Sequence, residues 1–539
     1  MSAAIQAEDT PRPVKPAAAA GAAARAPELP CLTGSALALG TLALSLATFM
    51  NVLDTSIANV AIPSIAGDLG VSPDQGTWVI TSFAVANAIS MPLTGWLTRR
   101  IGQVRLFTAS TLLFVLASFL CGLAPSIGML VAFRALQGAV AGPMIPLSQS
   151  LLLASYPKAK AGAALAVWSM TTLVAPVVGP VLGGWITDNI SWPWIFYINV
   201  PIGIAAAIAT WAIYRRRETP TARLPIDKVG LGLLIIWVGA MQILLDKGKD
   251  LDWFNSSFIV TLAIIAIIGF VVFLVWELTD EHPIVDLSLF RGRNFSVSTV
   301  AMLVGYGLYF GTVVLLPLWL QQYMGYTATL AGVVLAPVGV LAILLTPLVG
   351  RFLSRTDPRW IVTISFLVFG LVMFMRSDFN TQADIRTLLV PTVIQGAALA
   401  TFFVPLLTLG FSGLAAERIP AASGLMNFAR ITAGSFATSI TTTLWDRRAT
   451  LHHEQLVEHL TGSNAAMTQA LGQLHAGGLT SQQGYELLNN LVTNQAYMLS
   501  ANDIFYVSGA LFVLLAGVVW LARPMKSGGA GREAAAGAH

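Results

Sequence analysis

The sequence predicts an all-α polytopic membrane protein: two six-helix bundles with two further helices inserted between them, fourteen transmembrane helices in all. Three observations carry this. Of the 539 residues only 10% are charged and 55% are hydrophobic, with a mean hydropathy of +0.73, whereas a soluble domain carries about 25% charged residues. Fourteen apolar runs approach the roughly 20 residues that a helix needs to cross a bilayer. Short motifs recur between the halves at offsets of 255 and 258 positions.

In chain order the runs fall near 36–62, 76–98, 105–124, 127–152, 163–187, 198–214, 229–246, 256–277, 296–320, 328–352, 359–376, 385–411, 421–445 and 503–522. They divide the chain into a tail (1–35), an N-terminal bundle (36–214), an inserted linker with two helices (215–290), a C-terminal bundle (291–523) and a second tail (524–539). The first tail is rich in Ala and Pro and reads as disordered. The run after it is too long for a signal-peptide core and carries Asp54, so it is expected to be retained.

Charge tests the count. With the N-terminus inside, twenty-two of the thirty Lys and Arg fall on the cytoplasmic side, among them Arg99, Arg100, Lys158, Arg215 to Arg217, Arg223 and Arg355. Six fall outside, at Lys247, Lys249, Arg376, Arg386, Arg447 and Arg448, and Arg134 and Arg430 lie within spans. This asymmetry follows the positive-inside rule. It places both termini in the cytoplasm, because omitting one span would scramble every loop downstream.

The long outer loop is 447–502, where Leu451, Leu456, Leu460, Tyr485, Leu488 and Leu491 recur at helical spacing. It reads as a small helical element outside the membrane. Its His452, His453, His459 and His475 suit a solvated amphipathic helix better than a metal site. Cys31 and Cys121 suggest neither a disulfide nor a metal ligand set.

The repeat is legible in two places. Gly95-Trp-Leu-Thr-Arg99-Arg100 ends span two, and Gly350-Arg-Phe-Leu-Ser-Arg355 ends span ten. Leu136-Gln137-Gly138-Ala139 in span four matches Ile394-Gln395-Gly396-Ala397 in span twelve. Arg134 corresponds to Thr392, so the charged machinery belongs to the first half. Duplicated bundles are a common origin of transporters.

Asp54 and Arg134 are the most informative residues. Ionised groups are costly inside a bilayer and persist mainly where they pair, titrate or line a wet cavity. Asp54 lies nine residues before Pro63, and Arg134 nine after Pro125. At 1.5 Å per residue both sit about 13 Å from the outer end of their helices. Arg stays charged, so the carboxyl is the switchable partner. A proton relay and a static ion pair are the two readings open at this point.

Several motifs resemble a known family. Leu53-Asp-Thr-Ser-Ile-Ala-Asn59-Val-Ala-Ile-Pro63 resembles the first-span signature of fourteen-span drug:proton antiporters (the EmrB/QacA family) in the major facilitator superfamily. Gly95 to Arg105, with Arg99, Arg100 and Gly102, resembles that superfamily's gating loop, although Thr98 stands where an acid is common. Arg134-Ala-Leu-Gln137-Gly138 resembles the span-four motif. Ala175-Pro176-Val-Val-Gly179-Pro180-Val-Leu-Gly183-Gly184 resembles the span-five antiporter motif. The resemblance is nearest to EmrB-type members of Gram-negative bacteria.

The resemblance implies a major facilitator fold in the bacterial inner membrane and efflux of hydrophobic toxic compounds, antibiotics included. It implies coupling to the proton motive force through Asp54 and Arg134, with protons as coupling ion and no other cofactor. It also implies a tight contact between the halves at the span-five motif. The implied partners are an EmrA-type periplasmic adaptor and a TolC-type outer-membrane channel, for which 447–502 is a docking candidate. Expected cavity residues are Asn59, Gln137, Trp168, Tyr306, Tyr309, Gln395, Phe402, Asn427 and Arg430. Aromatic walls with few polar anchors suit greasy, flat molecules. Interhelical hydrogen bonding is the competing role for Gln137 and Gln395. Trp319 and Tyr323 read as an outer interfacial belt.

Other classes fit less well. An ATP-driven pump needs a GxxxxGK[ST] phosphate loop, which the chain lacks. An enzyme is disfavoured because no cluster of His, Cys and carboxylates falls within the spans. A proton-coupled permease for a specific metabolite or siderophore is the alternative to a multidrug exporter.

Overall fold

The structure, a computed structural model, describes residues 31–524 apart from 158–159, 223–224, 327, 354, 459, 461–464 and 478. Most of both expected tails, together with Lys158, Arg223 and His459, lies outside the described residues. Helices cover every expected run, and no strand occurs among the described residues. By length and apolarity eleven helices among the described residues can cross a membrane, or twelve if the bent pair Trp78–Ser90 and Thr94–Ile101 is one span. Two further long helices, Ala161–Asn189 and Ile419–Glu458, carry the fifth and thirteenth runs.

Local sequence explains many helix ends. Asp227, Asp357 and Asp384 accept backbone N–H bonds at the starts of spans seven, eleven and twelve, satisfying donors a helix start leaves free. Span two bends by 63° after Ser90, and Pro92 in the break has no N–H to continue the ladder.

The repeat extends to backbone packing. A Cβ on Gly138 would run into the carbonyl oxygen of Phe83 in span two, and one on Gly396 would lie 2.6 Å from the carbonyl of Val338 in span ten. Those carbonyls are themselves 255 positions apart. Small residues thus let spans two and four, and ten and twelve, touch backbone to backbone.

The inserted pair, Lys228–Lys247 and Ser257–Thr279, braces both halves. Toward span two, Thr81 donates to Asp246 at 2.6 Å and Lys247 to Thr77 at 2.9 Å. Toward span thirteen, Trp253 donates to Thr443 at 2.9 Å and Lys249 pairs with Asp446 at 2.9 Å.

Three expectations need correction. The outer loop is helical as expected, but largely as an extension of the flanking spans. Span thirteen runs on to Glu458 and span fourteen begins at Ser481, with one short helix, Ala465–Ala476, between them. Arg448 and His452 both bond Asp503 across this pair, and His453 bonds Asn489. Trp319 is no belt residue, being 1% exposed and stacked on Phe379. Arg376, read from sequence as an outer-loop charge, is buried in the C-terminal bundle.

Candidate functional site

Span one is an uninterrupted helix, Gly34–Asp68. Span four breaks after Ala141 and resumes at Met144. Between them Asp54 and Arg134 meet directly, Nη1 to Oδ2 at 2.6 Å, with both side chains essentially inaccessible. Gln137, one turn from Arg134, accepts from the same Nη1 at 2.7 Å and donates to Asp54 Oδ1 at 3.1 Å. Arg134 Nε donates to the Val79 carbonyl at 3.0 Å, and its guanidinium lies 4.3 Å from the Phe83 ring. Gln137 therefore belongs to the ion pair, in the interhelical role that competed with cavity lining.

Two members of this cluster escaped the sequence reading. Asn199 of span six donates from one amide nitrogen to Asp54 Oδ1 at 2.8 Å and to Ser118 of span three at 3.0 Å. Neither carries a charge, so neither stands out in its apolar run. The carboxylate thus accepts from Arg134, Gln137 and Asn199, while Arg134 Nη2 and Asn199 Oδ1 are buried with no hydrogen-bond partner among the described residues. Charged hydrogen bonds of this kind contribute about 1.5–3 kcal/mol each. Protonating the carboxyl weakens every one of them at once.

The second half keeps a guanidinium–glutamine contact but moves the cation. Arg376, on span eleven, donates to Gln395 Oε1 at 2.7 Å and to Thr392 Oγ1 at 3.3 Å. No carboxylate pairs with it among the described residues. Gln395 is consequently a partner of Arg376 and not a lining residue of the central cavity. No acid aligns with Asp54 here: at the repeat's offsets of 255 and 258 positions stand Tyr309 and Thr312 of span nine.

The span-five motif also departs from expectation. A Cβ on Gly179 would lie 2.5 Å from Ser56 Cβ, and one on Gly183 would lie 3.2 Å from Ile57 Cα. These glycines seat span five on span one of the same bundle, two or three residues from Asp54, and not on the opposite half. Gly184 meets Val60 more loosely, and Pro176 and Pro180 lie in the same helix.

Contact between halves forms instead at the repeat glycines. A Cβ on Gly95 would lie 2.5 Å from Ala421 Cβ in span thirteen, and one on Gly350 would lie 3.1 Å from Ala163 Cα in span five. Ala163 and Ala421 are 258 positions apart, so the two contacts are related by the repeat. Both sit at the end where the described chain enters and leaves the bundle. Leu32 bonds Ser155 near the start of span five, and Ala522 bonds Arg359 near the end of span ten.

Beyond Gly95 the loop lacks its acid, but Glu218 from the end of span six takes that place. It accepts from the backbone nitrogens of Val104 and Arg105 at 3.0 and 2.9 Å. Gly102 has φ +97° and no room for a Cβ beside the Glu218 carboxylate, so glycine is required there. Arg99 and Arg100 are exposed, Arg100 lying 5.3 Å from the Trp96 ring.

Above these contacts a narrow cavity separates the halves. Its lining includes Trp168, Thr172, Phe403, Asn427 and Arg430, and its free volume is about 10 Å³, room for one water. Trp168 is fixed by bonds to Ser148 at 2.9 Å and Thr48 at 3.2 Å. The Arg430 guanidinium lies 5.7 Å from the Tyr306 ring and 5.8 Å from that of Phe403. Gln149 of span four, also missed from sequence, accepts from Ser423 and from Asn427, the latter at 3.3 Å, and so ties the two halves at the cavity floor. Tyr309 packs on Phe369 at 5.7 Å. Phe402 is fully buried against Phe366 and Phe369 as core, its neighbour Phe403 taking the cavity wall. Asn59 is exposed near the far end of span one, away from this floor.

Comparison with known proteins agrees with this architecture. The family model of the Major Facilitator Superfamily matches residues 44–438. The chain is 52% identical over 501 residues to "Multidrug export protein EmrB" of Escherichia coli (strain K12), covering 93% of this chain and 98% of that one. It is 51% identical to "Fatty acid resistance protein FarB" of Neisseria gonorrhoeae, covering 94% and 100%. Among solved structures a double-Trp mutant of XylE superposes with TM-score 0.58 at 14% identity, covering 90% of this chain and 96% of that one. With its paired bundles, its repeat-related glycine contacts and the buried Asp54–Arg134 pair, the chain belongs to the Major Facilitator Superfamily, on its EmrB-type branch.

Proposed function

We propose that this transporter exports structurally varied hydrophobic or amphipathic toxic compounds across the bacterial inner membrane in exchange for protons. Both termini then lie in the cytoplasm, and an EmrA-type periplasmic adaptor and a TolC-type outer-membrane channel carry the cargo onward. Export of drugs rests on the relatives named above; antiport rests on the Asp54 cluster. A titratable carboxyl there is held by a permanent cation and two amides, so a proton arriving from outside changes the whole set. Freed of that carboxylate, Arg134 keeps hydrogen bonds to Gln137 and the Val79 carbonyl and its contact with the Phe83 ring, which favours a different packing of spans one and four. One proton moving inward through 100 mV supplies about 2.3 kcal/mol, equivalent to a roughly fiftyfold substrate gradient. In proteoliposomes, an imposed proton gradient is expected to drive accumulation of a fluorescent drug, and an ionophore to abolish it. Accumulation indifferent to the ionophore would overturn the antiport reading.

The cavity lining carries one cation and no carboxylate. Drug-sized ligands need about 300–1,000 Å³, so the halves must part to admit one. We read Arg430, backed by Tyr306 and Phe403, as the anchor for acidic amphipaths once they do. Losing a charged hydrogen bond of about 1.5 kcal/mol, Arg430→Gln is expected to raise KM for acidic substrates roughly tenfold. Neutral substrates serve as the control, and an equal change for both classes would argue for a packing role.

A further inference from the structure

A groove of about 580 Å³ lies on the outside of the N-terminal bundle, between spans three and six. One end carries Arg105 and Arg215, and Leu112, Ile208 and Trp211 line the groove together with the small Ala109 and Ala207. Leu112, Ile208 and Trp211 are 46%, 64% and 42% exposed, although they lie well inside apolar spans, so they face hydrocarbon and not water. Spans three and six run antiparallel here. Leu112 is seven residues after Arg105 and Ile208 seven before Arg215, placing both apolar residues about 10 Å below the arginines. The groove is thus amphipathic along its length, with paired cations at the membrane edge and a greasy channel beneath. Arg105 is 64% exposed and only 4.0 Å from Glu218, while Arg215 is exposed with no ion pair among the described residues.

We propose that this groove binds one anionic phospholipid. Its phosphate sits between Arg105 and Arg215, and one acyl chain lies along Leu112, Ile208 and Trp211. Charge complementarity decides the occupant: a zwitterionic lipid offers the two guanidiniums no net charge, and a soluble anion leaves the apolar channel empty. The site adjoins the gating loop, because Glu218, which fixes the backbone of Arg105, is also the acid nearest its side chain.

Native mass spectrometry of the detergent-purified full-length protein, titrated with phosphatidylglycerol or phosphatidylcholine, tests this. At about 1 kcal/mol per basic residue near an anionic surface, two arginines give an expected preference of about thirtyfold for phosphatidylglycerol at the tightest site. Arg105→Gln with Arg215→Gln is expected to erase that preference, while Arg216→Gln, off the groove, keeps it. Ile208→Trp, which fills the channel and leaves both cations, is expected to weaken phosphatidylglycerol binding as well. Equal affinity for the two lipids, or a preference unchanged in the double variant, overturns the proposal. So does release of the bound lipid by millimolar inorganic phosphate, which marks a simple anion site.

Discussion

Asp54→Asn is expected to reduce gradient-driven drug accumulation in proteoliposomes to the level of protein-free vesicles. Downhill exchange of the same drug should continue. The side chains are nearly isosteric, and asparagine keeps an oxygen for Arg134 Nη1, now 2.6 Å from Oδ2. What disappears is the proton. Among the described residues no second carboxylate contacts the cluster, whose other members are Arg134, Gln137, Asn199, Ser118 and the Cys121 thiol that bonds Gln137, so no other carboxyl there can take over the titration. Neutralising one partner of a buried pair also costs stability, by as much as about 3–5 kcal/mol. Retained exchange therefore matters as the control, because a misfolded variant loses both activities and a decoupled one loses only the uphill activity. A variant that still concentrates drug against a gradient would remove Asp54 from the coupling mechanism and leave the pair a structural feature.

The second large effect concerns how the halves close. Gly95→Leu and Gly350→Leu, singly, are each expected to slow export by at least an order of magnitude, and by similar factors. Each adds a side chain where even a Cβ lies 2.5 Å from Ala421 Cβ or 3.1 Å from Ala163 Cα. The protein–protein contact at this end then cannot form, and packed interfaces do not deform smoothly to accommodate the excess volume. Both glycines terminate spans at the edge of a bundle, so folding of each half should survive. A thiol reporter distinguishes trapping from unfolding. In a Cys31→Ser background, Thr172→Cys at the cavity wall should label faster in either glycine variant than in its parent. Cys121 is buried and does not interfere. Strong inhibition from one glycine with none from the other would contradict a symmetric closure.

Much of this molecule is written locally. Helical runs of the right length, the sidedness of Lys and Arg, and the two recurring motifs each depend on residues close in the chain, which is why they can be read without coordinates. Asp54 and Arg134 were conspicuous for the same reason: a charge in an apolar run stands out whatever it touches. Partnership was less visible. Arg376 looked like a loop residue because it ends its run, yet its side chain folds back to Gln395. Phe402 and Phe403 are indistinguishable in composition, and only the helix break after Ala400 decides that one fills the core and the other faces the cavity.

The sequence alone determined that this chain crosses a membrane many times, is internally duplicated, and buries one acid and one base in its first half, because hydropathy, spacing and charge are properties of single segments. The tertiary structure decided which groups share the carboxylate, which glycines join the halves and which arginine faces the cavity. Those depend on the approach of helices far apart in the chain, as between Gln149 and Asn427, 278 positions apart, and on rotations that no single segment encodes.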